Sequence, residues 1–163
     1  MGGYQVRVEN IQFAAGHFAT FGGKCERLHG HNYEVAAQID GVLTDDSWVV
    51  DFTRLKAILR NLSEELDHRF ILQVESRVLR ITRSDESWTM VTPAGATYVF
   101  PAGDVVALTI DNSTAERLAQ WFCGRLLEAL GKRRSRNIEA VTVEVWEGPG
   151  QRASFMHRRL PQE

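Results

Sequence analysis

Residues 13–33 read FAAGHFATFGGKCERLHGHNY, and the outline of the chain can be worked outward from them. Just upstream, Tyr4, Val6 and Val8 alternate with Gln5, Arg7 and Glu9, so a half-buried strand runs from Tyr4 to Phe13. Gly22, Gly23 and Lys24 make Phe21 to Arg27 a loop, and His29 to Ile39 is a second strand closed by an Asp40-Gly41 turn. On a strand, residues two apart share a face, so His29 and His31 can meet one metal ion. His17, at the end of the first strand, supplies a third nitrogen if the two strands pair. Three nitrogens with one open position is the pattern of a catalytic zinc site. Nitrogen ligation also admits iron or copper, and the bland reading is three ordinary histidines on a polar strand.

Downstream, Asp51 is the N-cap of an amphipathic helix carrying Phe52, Leu55, Ile58, Leu59 and Leu62. A second helix begins near Ser113, with Glu116 completing a capping box. Its apolar face holds Leu118, Trp121, Phe122, Leu126 and Leu130, and Gly131 stops it. Ile138 to Trp146 alternates as a strand, and a last short strand covers Arg152 to Arg158. Between the helices, Val78–Ile81, Trp88–Val91 and Thr97–Phe100 are short strands separated by Pro93-Ala94-Gly95 and Pro101-Ala102-Gly103. They form an extra β-hairpin or small meander. The order strand, strand, helix, middle section, helix, strand, strand predicts one α+β domain over 1–163 with an antiparallel sheet and an insertion at about 73–108.

The 163 residues include 19 Lys+Arg and 21 Asp+Glu, a formal charge of −2, which argues against a general nucleic-acid binder. No apolar run is long enough to cross a bilayer, so no membrane partner is expected. The N-terminal residues lack a secretory pattern, and two cysteines are too few for a disulfide scaffold. The expected location is cytoplasmic.

Cys25 lies four residues before His29 and could be a fourth metal ligand, a reactive thiol or a small apolar residue. Near a dication and Lys24 its thiolate is favoured. Asp67 beside His68 can orient an imidazole for proton transfer, or be a charge pair at a helix end. Glu147, at a strand end before Gly148-Pro149, reads on its own as surface, Cys123 as core, and His157 as structural or exposed.

Taken together, Phe13–His17 and Cys25–Tyr33 resemble the 6-pyruvoyltetrahydropterin synthase and 6-carboxytetrahydropterin synthase family. Val50-Asp51-Phe52 with Leu55-Lys56, Leu66-Asp67-His68-Arg69, Ser113 to Ala119 and Val143 to Glu147 follow the family pattern in order. The resemblance implies the tunnelling fold, a four-stranded antiparallel sheet with two helices on one face. It also implies a homo-oligomer, a trimer or stacked hexamer, with active sites between subunits. His17, His29 and His31 would then hold Zn²⁺, completed by the substrate's side-chain hydroxyls. Cys25 would be the general base, with Asp67 and His68 as its relay partner. Glu147 would grip a pterin ring, Thr114 and the backbone around Ser113 would help hold it, and Lys24 and Arg27 would meet a triphosphate.

The reaction implied starts from 7,8-dihydroneopterin triphosphate and expels triphosphate. The short interval from Cys25 to His29 resembles the bacterial carboxy branch of queuosine biosynthesis, in which acetaldehyde is lost and 6-carboxy-5,6,7,8-tetrahydropterin forms. The pyruvoyl product, an aldolase-like cleavage of another dihydropterin, and a non-catalytic pterin-binding module are the alternatives. Two departures bear on substrate choice: 43 residues separate His68 from Asn112, and Gly148-Pro149-Gly150-Gln151-Arg152 follows Glu147.

Overall fold

A computed structural model describes residues 3–131 and 136–159. Its strands are β1 (Tyr4–His17), β2 (Thr20–Phe21), β3 (Lys24–Cys25), β4 (His29–Gly41), β5 (Arg69–Gln73), β6 (Arg80–Arg83), β7 (Ser87–Val91), β8 (Thr97–Pro101), β9 (Val105–Leu108), β10 (Ile138–Gly148) and β11 (Gln151–Arg158). The helices are α1 (Phe52–Leu66) and α2 (Ala115–Leu130). β11, β10, β4 and β1 pair antiparallel in that order, which is the sheet expected from the alternating segments. Short parallel pairings then add β5 and β9 beyond β1, so the sheet has six strands. No helix among the described residues is long and apolar enough to cross a membrane.

Both helices cover one face of this sheet. Leu55, Leu59, Leu62 and Leu66 of α1 and Leu118, Phe122, Leu126 and Leu130 of α2 recur every three or four residues and are buried. They meet Ile11, Phe13, Tyr33, Val35, Ile39, Val143 and Val145 from the strands. Asp51 caps α1 by accepting from the Thr53 N–H at 2.8 Å. In α2 the N-cap is Thr114, one residue later than expected, and its side chain accepts from Arg117 N. Ser113 does not form the capping box, because it is fully buried and its hydroxyl donates to the Phe18 carbonyl.

β1 extends four residues past the predicted end and does not alternate simply. Val8 opposes Ala37 but Ile11 opposes Val35, so one extra residue is accommodated at a bulge. Asn10 takes φ 63° there. The inward positions therefore change parity, from Val8 to Ile11, Phe13, Ala15 and His17. The loop after β1 closes into a two-residue hairpin, β2–β3, whose Gly22 and Gly23 both have positive φ as a primed turn requires. Asp40-Gly41 is not a turn, since β4 runs through it. Glycine is needed because a Cβ at Gly41 would lie 2.3 Å from the Asn137 carbonyl oxygen.

The middle section is a meander, β6–β7–β8, and not a single hairpin. Its Met90, with Leu79, packs on Phe18, Phe70, Leu72 and Val105 as a second apolar cluster. Phe100 stacks on Phe70 at 4.7 Å.

Candidate functional site

The β1–β4 ladder pairs His17 with His29 and continues through Gly16–Gly30 to Ala15–His31. With His17, His29 and His31 on the helix-facing side, their ligand atoms lie within 4.8 Å of one another. His17 Nδ1–H donates to the Ser113 carbonyl at 2.8 Å, and His29 Nδ1–H donates to the Arg27 carbonyl at 2.8 Å. A carbonyl can only accept, so both rings carry their proton on Nδ1 and turn a bare Nε2 inward. Those two Nε2 atoms are 3.1 Å apart. Two lone pairs at that distance repel unless a cation lies between them. His31 Nε2 is buried and has no hydrogen-bond partner among the described residues. Burial pulls His17 down to about 4 against the opposing hydrogen bond to Ser113, so it is neutral at physiological pH, as a metal ligand must be. The donor set and its orientation fit a divalent metal.

A cavity of about 530 Å³ opens beside the three rings. Thr114 and Glu116 line it from the start of α2, Glu147 and Arg152 from β10 and β11, and Glu26 from the segment after β3. Thr114 and Glu147 thus share one space with the histidines. Ser113 acts instead through His17, which it contacts with its carbonyl and, at 3.2 Å, its hydroxyl. Lys24 and Arg27 are exposed, and neither lines this cavity.

His68 faces a different space, and Asp67 borders a small pocket with Asn10, Arg60 and Glu64. The Ala14 N–H donates to Asp67 Oδ1 at 2.7 Å, and His68 Nδ1–H donates to Asp67 Oδ2 at 2.8 Å. The same Ala14 N–H, followed by the His68 contact, holds the Asp67 carboxyl below its usual range. His68 adopts φ 55°, a left-handed conformation costly for a residue with a Cβ. Its N–H donates to the Ala14 carbonyl at 2.6 Å. Its side chain is 84% exposed and lines a groove of about 750 Å³ with His29, His31, Phe100 and Asp104. The His29–His31 strand therefore separates two spaces. Cys25 borders neither, and it packs against the second apolar cluster. Burial and then Glu26 raise its thiol above the ordinary value, so a thiolate there needs a positive neighbour. Among the described residues the thiol hydrogen-bonds to the Glu26 carbonyl at 3.3 Å and not to the dyad.

Glu26, Glu116 and Arg152 were not singled out from sequence as site residues. Glu26 stands inside the histidine motif, and Arg152 is set opposite Trp146 by the β10–β11 register.

The family model described as 6-pyruvoyl tetrahydropterin synthase matches residues 5–158. A putative 6-carboxy-5,6,7,8-tetrahydropterin synthase of Pyrococcus horikoshii is 32% identical, over 93% of this chain and 89% of its own. The crystal structure of 6-pyruvoyl tetrahydropterin synthase from Plasmodium vivax superposes with a TM-score of 0.93 at 31% identity, covering 98% of this chain and 100% of that one. The Plasmodium vivax enzyme solved with a catalytic glutamate replaced by alanine gives 0.92 at 30% identity over the same shares. With the tunnelling fold, the motif order and this likeness in agreement, the chain belongs to the 6-pyruvoyl tetrahydropterin synthase family.

Proposed function

We propose that this chain is a zinc-dependent lyase that converts 7,8-dihydroneopterin triphosphate and water to 6-carboxy-5,6,7,8-tetrahydropterin, with release of acetaldehyde and triphosphate. The observation that carries the proposal is the convergence of three imidazole nitrogens on a cavity that also holds Glu147 and Thr114. Two nitrogens on one tetrahedral zinc lie about 3.3–3.4 Å apart, close to the 3.1 Å between His17 and His29. Zinc held by His17, His29 and His31 supplies Lewis acidity that eases proton loss from the substrate side chain. Glu147 accepts two N–H groups of the pterin ring, and Thr114 with the backbone at Ser113 closes on its edge. Cys25 takes a proton from the side chain, and His68, oriented by Asp67, returns one. Lys24 and Arg27 face solvent where a triphosphate can reach them.

A homo-oligomer, trimer or hexamer, completes this arrangement by bringing the exposed dyad of one chain to the thiol of another. The fully exposed side of β11 at the sheet edge supports that assembly. A cytoplasmic location is in keeping with two free cysteines.

Mass analysis of products from the zinc-loaded protein and 7,8-dihydroneopterin triphosphate tests the reading. The carboxy product is expected. A pyruvoyl product moves the chain to the other branch, and binding without chemical change overturns the enzyme assignment.

Glu26 favours one second reading. It lines the histidine cavity while Cys25 does not, and the Plasmodium vivax relative uses a glutamate described as catalytic. Under that reading Glu26 is the base for aldolase-like cleavage of a dihydropterin. Release of glycolaldehyde from dihydroneopterin, lost in Glu26→Ala and kept in Cys25→Ala, supports it.

A further inference from the structure

Tyr33 is fully buried next to the histidines, yet its hydroxyl has no hydrogen-bond partner among the described residues. Its ring stacks on Phe13 at 4.8 Å and 10°, and it lies edge-on to His31 at 5.3 Å and His17 at 6.0 Å. Phenylalanine would supply all of that packing. It would do so without the cost of burying an unpaired hydroxyl. The hydroxyl therefore calls for a partner in some working state of the protein.

Strand placement and the cavity lining lead to that partner. Val145 is opposite Val35 and Trp146 opposite Glu34, and the two strands then run on to Glu147 and Tyr33. Tyr33 follows the inward Val35 by two residues and projects from the helix-facing side, and Glu147, where β10 bulges against β11, lines the cavity of the three histidines. Glu147 shares that cavity with His17 and His31, the two histidine rings that Tyr33 touches. A phenol can donate through its O–H, and an ionised carboxylate can only accept. His31 Nε2, the other unpaired atom nearby, belongs to the histidine cluster.

We propose that the Tyr33 hydroxyl donates a hydrogen bond to the Glu147 carboxylate when a ligand fills the cavity, fixing the orientation in which Glu147 meets the two ring N–H groups. Tyr33 is a positioning residue, since it acts through Glu147. The assignment rests on the reading of Glu147 as the pterin-gripping carboxylate.

Four proteins test it: the wild type, Tyr33→Phe, Glu147→Gln and the double variant. Dissociation constants for 7,8-dihydroneopterin, zinc content and melting temperature are measured for all, with kcat and KM for the first two. Tyr33→Phe should keep its zinc and melt no lower than the wild type. Its Kd and KM should rise about tenfold while kcat at saturation stays within twofold. In the Glu147→Gln background the same change should alter Kd by less than about twofold, because the partner is gone. Equal Kd in wild type and Tyr33→Phe overturns the assignment, as does a full tenfold effect in the Glu147→Gln background. A fall in melting temperature together with zinc loss also overturns it, since Tyr33 is then structural. A wild type that does not bind dihydroneopterin overturns the functional reading, and this assignment with it.

Discussion

Replacing His31 by alanine isolates the metal's contribution to stability from that of the ring itself. His17 is unsuitable for this purpose, because it is 2% exposed and bonded to Ser113, so its removal would leave a buried carbonyl unpaired. His31 Nε2 has no such partner, and without metal its loss removes a buried polar atom along with ring contacts to Tyr33 and His17. Those effects oppose, and the metal-free proteins should differ by less than about 1 kcal/mol. With zinc at one hundred times its dissociation constant, binding stabilises the wild type by about 2.7 kcal/mol. At about 2–4 °C per kcal/mol for a chain of this size, the wild type should gain about 5–10 °C on adding zinc. His31→Ala should gain less than about 2 °C at the same zinc concentration. Calorimetric melts with and without zinc, alongside elemental analysis, decide the matter. A His31→Ala protein that retains one zinc per chain and the full thermal gain would refute the three-histidine site.

Asp67→Asn should keep zinc but lower kcat by about 10²–10⁴-fold, the usual contribution of a positioned proton-transfer group, and steady-state assays of the zinc-loaded variant read this directly. Gly41→Ala should destabilise the fold by about 1–3 kcal/mol in urea denaturation, because the new Cβ would press on the Asn137 carbonyl. Burial tends to raise the Glu144 carboxyl, but hydrogen bonds from Arg7 and Arg152 outweigh it and hold the group below its ordinary 4.5. The stability this confers is present above pH 4.5 and is lost as pH falls through the lower folded value. Glu144→Leu should therefore flatten the acid side of the stability profile, measured by denaturant midpoints from about pH 6 down to pH 3.

The helices were legible because Leu55, Leu59 and Leu62, and likewise Leu118, Phe122, Leu126 and Leu130, repeat at helical spacing and are buried as that spacing requires, although Phe52, read onto the same face, is exposed. The histidine cluster was legible for a similar reason: strand period fixed His29 and His31 to one face, and a hairpin register brought His17 to them. What escaped were features set by contacts between distant segments. Thr114 rather than Ser113 caps α2 because Ser113 is drawn to His17 and Phe18, 96 and 95 residues away in the chain. β5 and β9 join the sheet by parallel pairings of four or fewer residues, too short to announce themselves. Glu26 reads as one more charge in a loop until the fold turns it toward the histidines.

The bulge at Asn10 lets one strand answer to two unrelated demands. Before it, Arg7 must point outward to reach Glu144, where it and Arg152 flank the Trp146 ring at 6.0 and 5.6 Å. Beyond it, His17 must point inward. With side chains alternating strictly, residues 7 and 17 would share a face, and the extra residue is what sets them on opposite ones. Loss of one residue between Val8 and Ile11 would thus be a far graver lesion than almost any substitution there. Either the ion cluster or the metal ligand would have to turn to the wrong side. The length of this segment is consequently as much a part of the inherited information as any side chain it carries.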